Sequence, residues 1–247
     1  AGRGHSLGLK SDGSIVAWGR PIENQCSIPS PNSDFVAISA KEDQSIGLKS
    51  DGSIVAWGLN NYGQCTVPLP NNDFVSVAAG QFHNLALKMD GSIMAWGYHG
   101  DNRCNIPDPN SGFVATAAGI SHSLGLKSDG SIVAWGWNGQ GECNVPSPNI
   151  GFTAVAGGAN FSLALYVGGS LKVMLSPPEA TGAQWRLTSE AVGVWHDSGT
   201  SVTLYPGRDY TIEYRMLAGW QEPVSQTVSI EQGKLIPLTG VYQAVPT

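Results

Sequence analysis

The sequence predicts an all-β repeat protein, and three observations support this fold class. First, tryptophans recur at intervals of 39 residues, at Trp18, Trp57, Trp96 and Trp135, and a fixed period of this size is the signature of a repeat architecture. Second, apolar and polar residues alternate in the runs that lead to these tryptophans, which is typical of β-strands. Third, an Asp-Gly pair separates the two alternating runs of every unit, and this pair is the strongest short signal for a hairpin.

Each unit consists of a hairpin, a loop, a proline-bounded segment and a further strand. The first hairpin reads HSLGLKSDGSIVAWG at 5–19, and its turn aspartate recurs as Asp12, Asp51, Asp90 and Asp129. Because a tight turn accounts for these aspartates, we do not expect them to bind calcium or to act in catalysis. Three clear strands and a fourth short extended segment in about 40 residues match one blade of a β-propeller.

One cysteine occupies the same position of each unit: Cys26, Cys65, Cys104 and Cys143. A disulfide needs Cα atoms within about 7 Å of each other, and equivalent positions of neighbouring units usually lie farther apart. Cysteines 39 residues apart also lack the closely spaced pairs of a zinc site. We therefore expect four free thiols that fill small apolar spaces under turns, and we expect neither a metal nor a cofactor.

The unit AGxxHSLALKSDGSIVAWGxNxxGQC resembles the repeat of the regulator of chromosome condensation, in its short bacterial form. The residues that carry the resemblance are Ala118-Gly119, His122-Ser123-Leu124, Asp129-Gly130, Val133-Ala134-Trp135-Gly136, Asn138 and Gly141. The resemblance recurs four times over 1–166. It implies a β-propeller, usually of seven blades, that acts as an interaction platform. Members of this kind include an exchange factor for a small GTPase, ligase-associated modules and a secreted bacterial β-lactamase inhibitor.

The strand counts predict an incomplete propeller. The Trp-Gly and Phe-Val strands each occur four times, whereas the His-Ser-Leu strand occurs five times, so 5–9 and 161–165 would compete for one place in a closed ring. We expect an open arc of about four blades, a fragment of a seven-bladed propeller, because the chain begins inside a repeat. A compact four-bladed closure is the alternative. Open sheet edges invite pairing with another chain, so self-association through this edge is a further expectation.

The period breaks at Tyr166, and a second domain is predicted at 167–247. Short alternating runs separated by Gly, Pro and Ser predict a small β-sandwich there. The elements GAQWR, SGTSV and LAGW resemble an immunoglobulin-like module that is common in secreted multidomain bacterial proteins. We expect Trp185, Trp195 and Trp220 to pack within this domain rather than to form a sugar-binding platform.

Composition and motifs exclude several classes of function. The net charge is −6 and Lys and Arg form no run, so the clustered basic surface that nucleic acids need is missing. No apolar stretch approaches the roughly 18 residues of a membrane span. The sequence contains no zinc-protease helix, P-loop, Rossmann glycine pattern or G-x-S-x-G. One repeat position reads His5, Gln44, His83, His122 and Phe161, a set too mixed for a metal ring or a proton relay. We therefore predict a non-enzymatic protein.

Binding is predicted in the loops after each Trp-Gly, at 20–25, 59–64, 98–103 and 137–142, where the copies differ while the framework repeats. The individual residues are Arg20, Leu59, Tyr62, Tyr98, His99, Asp101, Arg103 and Trp137. Tyr, Trp and Arg dominate binding hot spots, so we expect a protein partner on this rim. Carbohydrate binding by Tyr62, Tyr98 and Trp137 is one alternative, and loops that drifted without any ligand are another. We expect an extracellular or cell-surface bacterial protein.

Overall fold

A computed structural model describes residues 1–147, 149–190 and 194–245, which are almost entirely strands and the turns between them. The chain divides into two compact units, Ala1–Leu165 and Tyr166–Thr247. Among the described residues, no helix is long and apolar enough to cross a membrane. The predicted all-β fold class is confirmed.

In its described residues, the first unit contains thirteen strands in five small antiparallel sheets. The strands are β1 (His5–Leu9), β2 (Ile15–Gly19), β3 (Phe35–Lys41), β4 (Gln44–Lys49), β5 (Ile54–Gly58), β6 (Phe74–Ala79), β7 (His83–Lys88), β8 (Ile93–Gly97), β9 (Phe113–Ala118), β10 (His122–Lys127), β11 (Ile132–Gly136), β12 (Phe152–Gly157) and β13 (Ser162–Tyr166). We number the sheets as copies 1 to 5. Copies 2, 3 and 4 have three strands, whereas copy 1 is β1-β2 and copy 5 is β12-β13. The two terminal copies leave exposed the side chains that neighbouring copies bury elsewhere: Trp18 in copy 1 is 57% exposed, and Leu163 and Leu165 in copy 5 are 59% and 67% exposed. The arc is therefore open, as the strand counts predict.

The Asp-Gly turns have the geometry that a tight hairpin requires. In the first turn, Asp12 Oδ1 accepts hydrogen bonds from the Ser14 amide at 2.9 Å and the Ser14 hydroxyl at 2.6 Å. Gly13 has φ +77°, the left-handed region in which glycine is unstrained. The other three turns repeat the same bonds. These bonds to the ionised form lower the pKa of each turn aspartate.

The proline-bounded segment is held by an asparagine side chain rather than by a fourth strand. Asn71 Oδ1 accepts from the Ile54 amide at 2.8 Å, and Asn71 Nδ2 donates to the Ile54 carbonyl at 2.9 Å. The same two bonds join Asn32 to Ile15, Asn110 to Ile93 and Asn149 to Ile132. The expected fourth extended segment is therefore not a strand at its described residues. Prolines lack the amide that a strand ladder needs, and the amide side chain makes the pairing instead.

The apolar core of the first unit lies between copies. Ile46, Leu48 and Ile54 of copy 2 form one buried cluster with Phe74 and Trp96 of copy 3. The equivalent cluster joins copy 3 to copy 4. Burial of one such large side chain contributes roughly 1.5–3 kcal/mol. Each copy therefore depends on its neighbours, as in other repeat proteins.

A single backbone carbonyl also joins each copy to the next. The carbonyl of Gln64, the residue before Cys65, accepts from Trp96 Nε1 at 3.0 Å and from Asn84 Nδ2 at 2.7 Å. Equivalent pairs of donors reach two further carbonyls, from Trp57 and Ser45 to Gln25 and from Trp135 and Ser123 to Arg103. These donor side chains are buried. Losing one partner of a buried bond leaves the other unsatisfied, which costs more than the bond itself contributes.

The described residues of the second unit form three sheets: two larger ones that share one core, and one two-stranded sheet. The strands are β14 (Gly169–Ser176), β15 (Gln184–Leu187), β16 (His196–Asp197), β17 (Ser201–Leu204), β18 (Asp209–Tyr214), β19 (Trp220–Gln221), β20 (Gln226–Ser229), β21 (Leu235–Val241) and β22 (Gln243–Ala244). The sheets β17-β14-β21 and β16-β15-β18-β20 share a buried cluster that includes Val173 and Ile212, and the two-stranded sheet is β19-β22. Trp185 is buried there, Trp220 packs against the cluster, and the Arg186 guanidinium lies over the Trp195 ring at 5.0 Å.

We predict that Asn110→Ala lowers the free energy of unfolding of the first unit by about 2 kcal/mol, because the amide and the carbonyl of Ile93 both lose their partner. The measurement is hydrogen exchange in increasing urea, read on peptides of 1–165. The control is Asn61→Ala in an exposed loop. Equal stability of the two variants would contradict the structural role of this asparagine.

Candidate interaction rim

The four loops after Trp-Gly form the rim of the first unit, and each is closed by its cysteine. Cys65 Sγ donates to the carbonyl of Leu59 at 3.2 Å, and Cys104 Sγ donates to that of Tyr98 at 3.4 Å. All four cysteines are free thiols. Burial raises the pKa of Cys65 and of Cys104 to about 11. These thiols therefore stay protonated at neutral pH and hold the loops as weak hydrogen-bond donors.

The side chain before each cysteine supports its loop from below. Gln64 Oε1 accepts from the Tyr62 amide at 2.9 Å, and Glu142 Oε2 accepts from the Gln140 amide at 2.9 Å. Gln64 and Glu142 are buried, as is Gln25 in the first loop. The loops are thus fixed from inside, so that the side chains above them are held in place.

The sequence predicts Arg103 as a binding residue on the surface, but the structure buries it in this supporting position. Its Nε donates to the Gly100 carbonyl at 3.0 Å, and its Nη1 donates to the Ile120 carbonyl at 3.2 Å. Its Nη2 lies 2.5 Å from Asp101 Oδ2. A guanidinium has donors enough to satisfy three acceptors at once. Arg103 therefore supports the rim, and Asp101 is its ion-pair partner.

Tyr62 and Tyr98 meet across two copies. Their ring centroids are 4.8 Å apart, with the ring planes at 58°, and Phe82 lies 5.0 Å from Tyr62 at 51°. Tyr62 remains 48% exposed and Tyr98 39% exposed. We call these three residues the aromatic patch. Phe82 was missed by the sequence reasoning, although it is the only aromatic residue in its repeat position, which otherwise reads Gly4, Asp43, Ser121 and Asn160.

Small residues and a cation fix the exposed rings on the loop backbone. A Cβ on Gly100 would lie 2.3 Å from the Tyr98 ring, and a Cβ on Gly139 would lie 2.4 Å from the Trp137 ring. The rings therefore rest where only a glycine leaves room. The Arg103 guanidinium lies 4.9 Å from the centre of the Tyr98 ring, a favourable cation–π distance.

The remaining predicted residues are distributed along the rim. Arg20, His99 and Asp101 are exposed, and Leu59 is half-buried. Trp137 is exposed in copy 4, and among the described residues no ring contact joins it to the aromatic patch. The structure therefore brings Tyr62 and Tyr98 together and leaves Arg20 and Trp137 as separate features.

The mixed histidine position lies between copies. His83 Nε2 is 3.0 Å from Ser123 Oγ, and a Cβ on Gly80 would lie 2.2 Å from the His83 ring. Lys41 stands where copies 1, 3, 4 and 5 have glycine. In copy 2 a longer, flexible amide, Gln44, replaces the ring and accepts a hydrogen bond from Asn84 instead.

Lys41 also links copy 2 to the last copy of the arc. Its Nζ donates to the carbonyls of Gly157 at 3.3 Å and Gly158 at 3.2 Å in copy 5. Burial lowers the pKa of Lys41. A long side chain in place of a glycine thus reaches from copy 2 to copy 5.

Comparison with known proteins assigns the repeat. The family model of the regulator of chromosome condensation (RCC1) repeat matches residues 35–64, 74–105 and 113–142, which lie in copies 2, 3 and 4. These three segments are therefore similar to the RCC1 repeat, and the first unit is an open arc of propeller blades. No curated protein sequence matches the chain.

Solved structures share this fold. Prp20p of Saccharomyces cerevisiae matches with a TM-score of 0.58 and 22% identity, over 66% of this chain and 54% of that chain. Human WBSCR16 matches with a TM-score of 0.55 and 18% identity, over 67% and 56%. The ectodomain of the Arabidopsis thaliana receptor kinase ACR4 matches with a TM-score of 0.53 and 26% identity, over 68% and 58%. The chain spans about half the length of these relatives.

The buried histidines make the first unit sensitive to acid. Burial, followed by the nearby Arg103 charge, lowers the pKa of His83 to about 3, and burial also lowers the pKa of His122. The unfolded chain takes up a proton near the ordinary pKa of 6.5, whereas folded His83 stays neutral. Its contribution to stability is therefore complete above pH 6.5 and is lost as the pH falls from 6.5 towards 3.

We predict that exchanging the pair His83 and Ser123 for the pair used in copy 2, by His83→Gln with Ser123→Asn, flattens this pH dependence. As the pH falls from 6 to 4.5, the unfolding free energy of the variant should decrease less steeply than that of the parent protein. The difference should be about 1.4 kcal/mol per pH unit, the slope that one titrating proton produces. Urea unfolding at several pH values measures it. The turn aspartates affect stability only below this range, since their pKa values are lowered from about 3.8. An unchanged slope would show that His83 is not the group that titrates.

Proposed function

We propose that the chain is a non-enzymatic protein-interaction module, which binds a protein partner through the rim of its propeller arc. The observation that carries this proposal is the aromatic patch of Tyr62, Phe82 and Tyr98, which joins loops of two neighbouring copies. Tyr62 and Tyr98 are exposed, Phe82 is half-buried, and the Tyr62 ring contacts both of the others. Tyrosine is enriched at interface hot spots because it offers a large contact area together with a polar tip.

The supports beneath the patch favour binding. Arg103, Gln64 and the contact at Gly100 hold Tyr62 and Tyr98 in place before any partner arrives. A side chain that is already ordered loses less conformational entropy on binding. Proteins with a similar fold bind other proteins. The crystal structure of Prp20p was described with its binding properties to Gsp1p and histones, and Kap60 has been solved bound to yeast RCC1.

Carbohydrate binding is a second candidate, and Trp137 favours it. This ring packs against the backbone at Gly139 and is about half exposed, so that part of the ring is accessible to a sugar. The aromatic patch suits a sugar less well, because its ring planes cross at 51° and 58°. Rings tilted in this way do not offer one flat platform.

We also propose that the protein is located outside a bacterial cell, with the second unit as a spacer or tether. This part rests on the resemblance of the second unit to modules of secreted bacterial proteins. The four free thiols are compatible with it, because the fold needs no disulfide. Fractionation of the source cells with an antibody to the second unit tests it, and a purely cytoplasmic signal would contradict it.

We predict that a photo-crosslinking residue at Tyr62 captures a specific protein in an extract of the source cells, because Tyr62 lies at the centre of the patch. The same species should be lost when Tyr98→Ala is added. The matched control places the crosslinker at Met89, which is exposed at the hairpin turn of copy 3, at the opposite end of its last strand from the rim.

Equal capture from Met89, or capture that survives Tyr98→Ala, would contradict the rim assignment. A glycan array, followed by competition with saturating free sugar, separates the two candidate functions. Sugar binding that depends on Trp137, without a captured protein, would favour carbohydrate. A protein complex that persists in saturating sugar would exclude carbohydrate as the ligand of the patch.

A further inference from the structure

The last sheet of the first unit has one free edge in an otherwise repeated plan. Copy 5 consists of β12 and β13, and among the described residues no strand pairs with the second edge of β13. In copies 2 to 4 the Trp-Gly strand occupies that edge of the middle strand. Its register places Ile opposite the second Leu, and Trp opposite Ser or Asn.

In copies 2 to 4, the Trp-Gly strand and the next copy cover the apolar side chains of the middle strand. On β13 the equivalent side chains are exposed. Leu163 and Leu165 are 59% and 67% exposed, whereas their equivalents in copy 4, Leu124 and Leu126, are 1% and 3% exposed. The sequence of β13, SLALY, has no charged residue, although open edges are usually protected by charges or prolines. An apolar, unprotected edge is suited to a partner that adds a strand.

The carbonyl that would accept a hydrogen bond from such a strand is already in position, at Glu142. Ser162 Oγ donates to the Glu142 carbonyl at 2.7 Å, as Ser123 Oγ donates to the Arg103 carbonyl at 2.8 Å. The Arg103 carbonyl also accepts from Trp135 Nε1 at 2.9 Å. Within the described part of the chain, the Glu142 carbonyl accepts from no indole. A tryptophan opposite Ser162 would complete the pair of donors that copies 2, 3 and 4 supply.

We propose that the free edge of β13 binds a partner polypeptide by accepting an extended strand of the pattern Ile-x-Ala-Trp-Gly. In the register of copy 4, the ligand's Ile lies opposite Leu165, its Ala opposite Leu163 and its Trp opposite Ser162. The closing Gly is required because its counterpart, Gly136, has φ +103° and a Cβ there would lie 2.7 Å from the Ser121 carbonyl oxygen.

Phe161 favours a single strand over a complete further copy. In the other copies this position holds His or Gln, which pairs with Ser or Asn of the next copy. Phe161 has no polar atom for that pairing. The edge of β13 therefore keeps the contacts for the Trp-Gly strand of its own sheet, while the polar link to a following sheet is missing. This surface is independent of the rim, so either proposal can fail alone.

The test uses the whole chain and a fluorescent peptide, SDGSIVAWG, which is the chain's own sequence at 128–136. We expect saturable binding by fluorescence anisotropy and slower hydrogen exchange of the amides at 161–166 when the peptide is bound. Replacing the peptide's tryptophan by alanine should weaken binding by about 100-fold or more, since it removes both a large buried ring and the indole donor.

The protein variant is Leu165→Asp, which adds a charge to the edge without changing a buried residue and should abolish binding. The matched control is Leu69→Asp, an exposed loop position at which copy 3 already has Asp108, and it should bind as the parent does. A concentration-dependent dimer that the peptide dissociates would support the site and place the natural strand in a second copy of the chain. Absence of peptide binding, unchanged affinity of Leu165→Asp, or exchange protection elsewhere would overturn the proposal.

Discussion

The fold of the first unit depends on one backbone carbonyl per repeat, that of the residue before each cysteine. At Gln64 this carbonyl accepts from the Trp96 indole and from the Asn84 side chain of the next copy. A carbonyl has two lone pairs, and here both serve the contact between copies. The tryptophan that donates also fills the apolar cluster between the sheets. The polar and apolar parts of each interface therefore cannot form separately.

The same residue connects the scaffold to the rim. The Gln64 carbonyl faces the next copy, while its side chain accepts from the Tyr62 amide and fixes the loop that carries the aromatic patch. In copy 3, Arg103 has both roles and also lies against the Tyr98 ring. Packing between copies thus sets the position of the exposed side chains. The loops can vary in sequence without losing their shape because their supports repeat.

Much of this fold can be predicted from the sequence, because its signals are local. Asp-Gly turns, alternating residues and the unequal strand counts predict the hairpins, the blades and the open arc. The carbonyl contact could not be predicted, since a backbone atom has no sequence signature. Arg103 was assigned to the surface by its residue type, although its repeat position matches buried Gln64. Phe82 joins the patch from a different loop, a proximity that only the packed copies reveal.

Exchange of the tryptophan indole protons, followed by nuclear magnetic resonance, tests the repeated carbonyl contact most directly. The indoles of Trp57, Trp96 and Trp135 donate to buried carbonyls, whereas Trp18, in the first copy, is 57% exposed. We expect the first three indole protons to exchange slowly and that of Trp18 to exchange at once. Equal protection of all four, or rapid exchange of all four, would contradict the contact on which the fold depends.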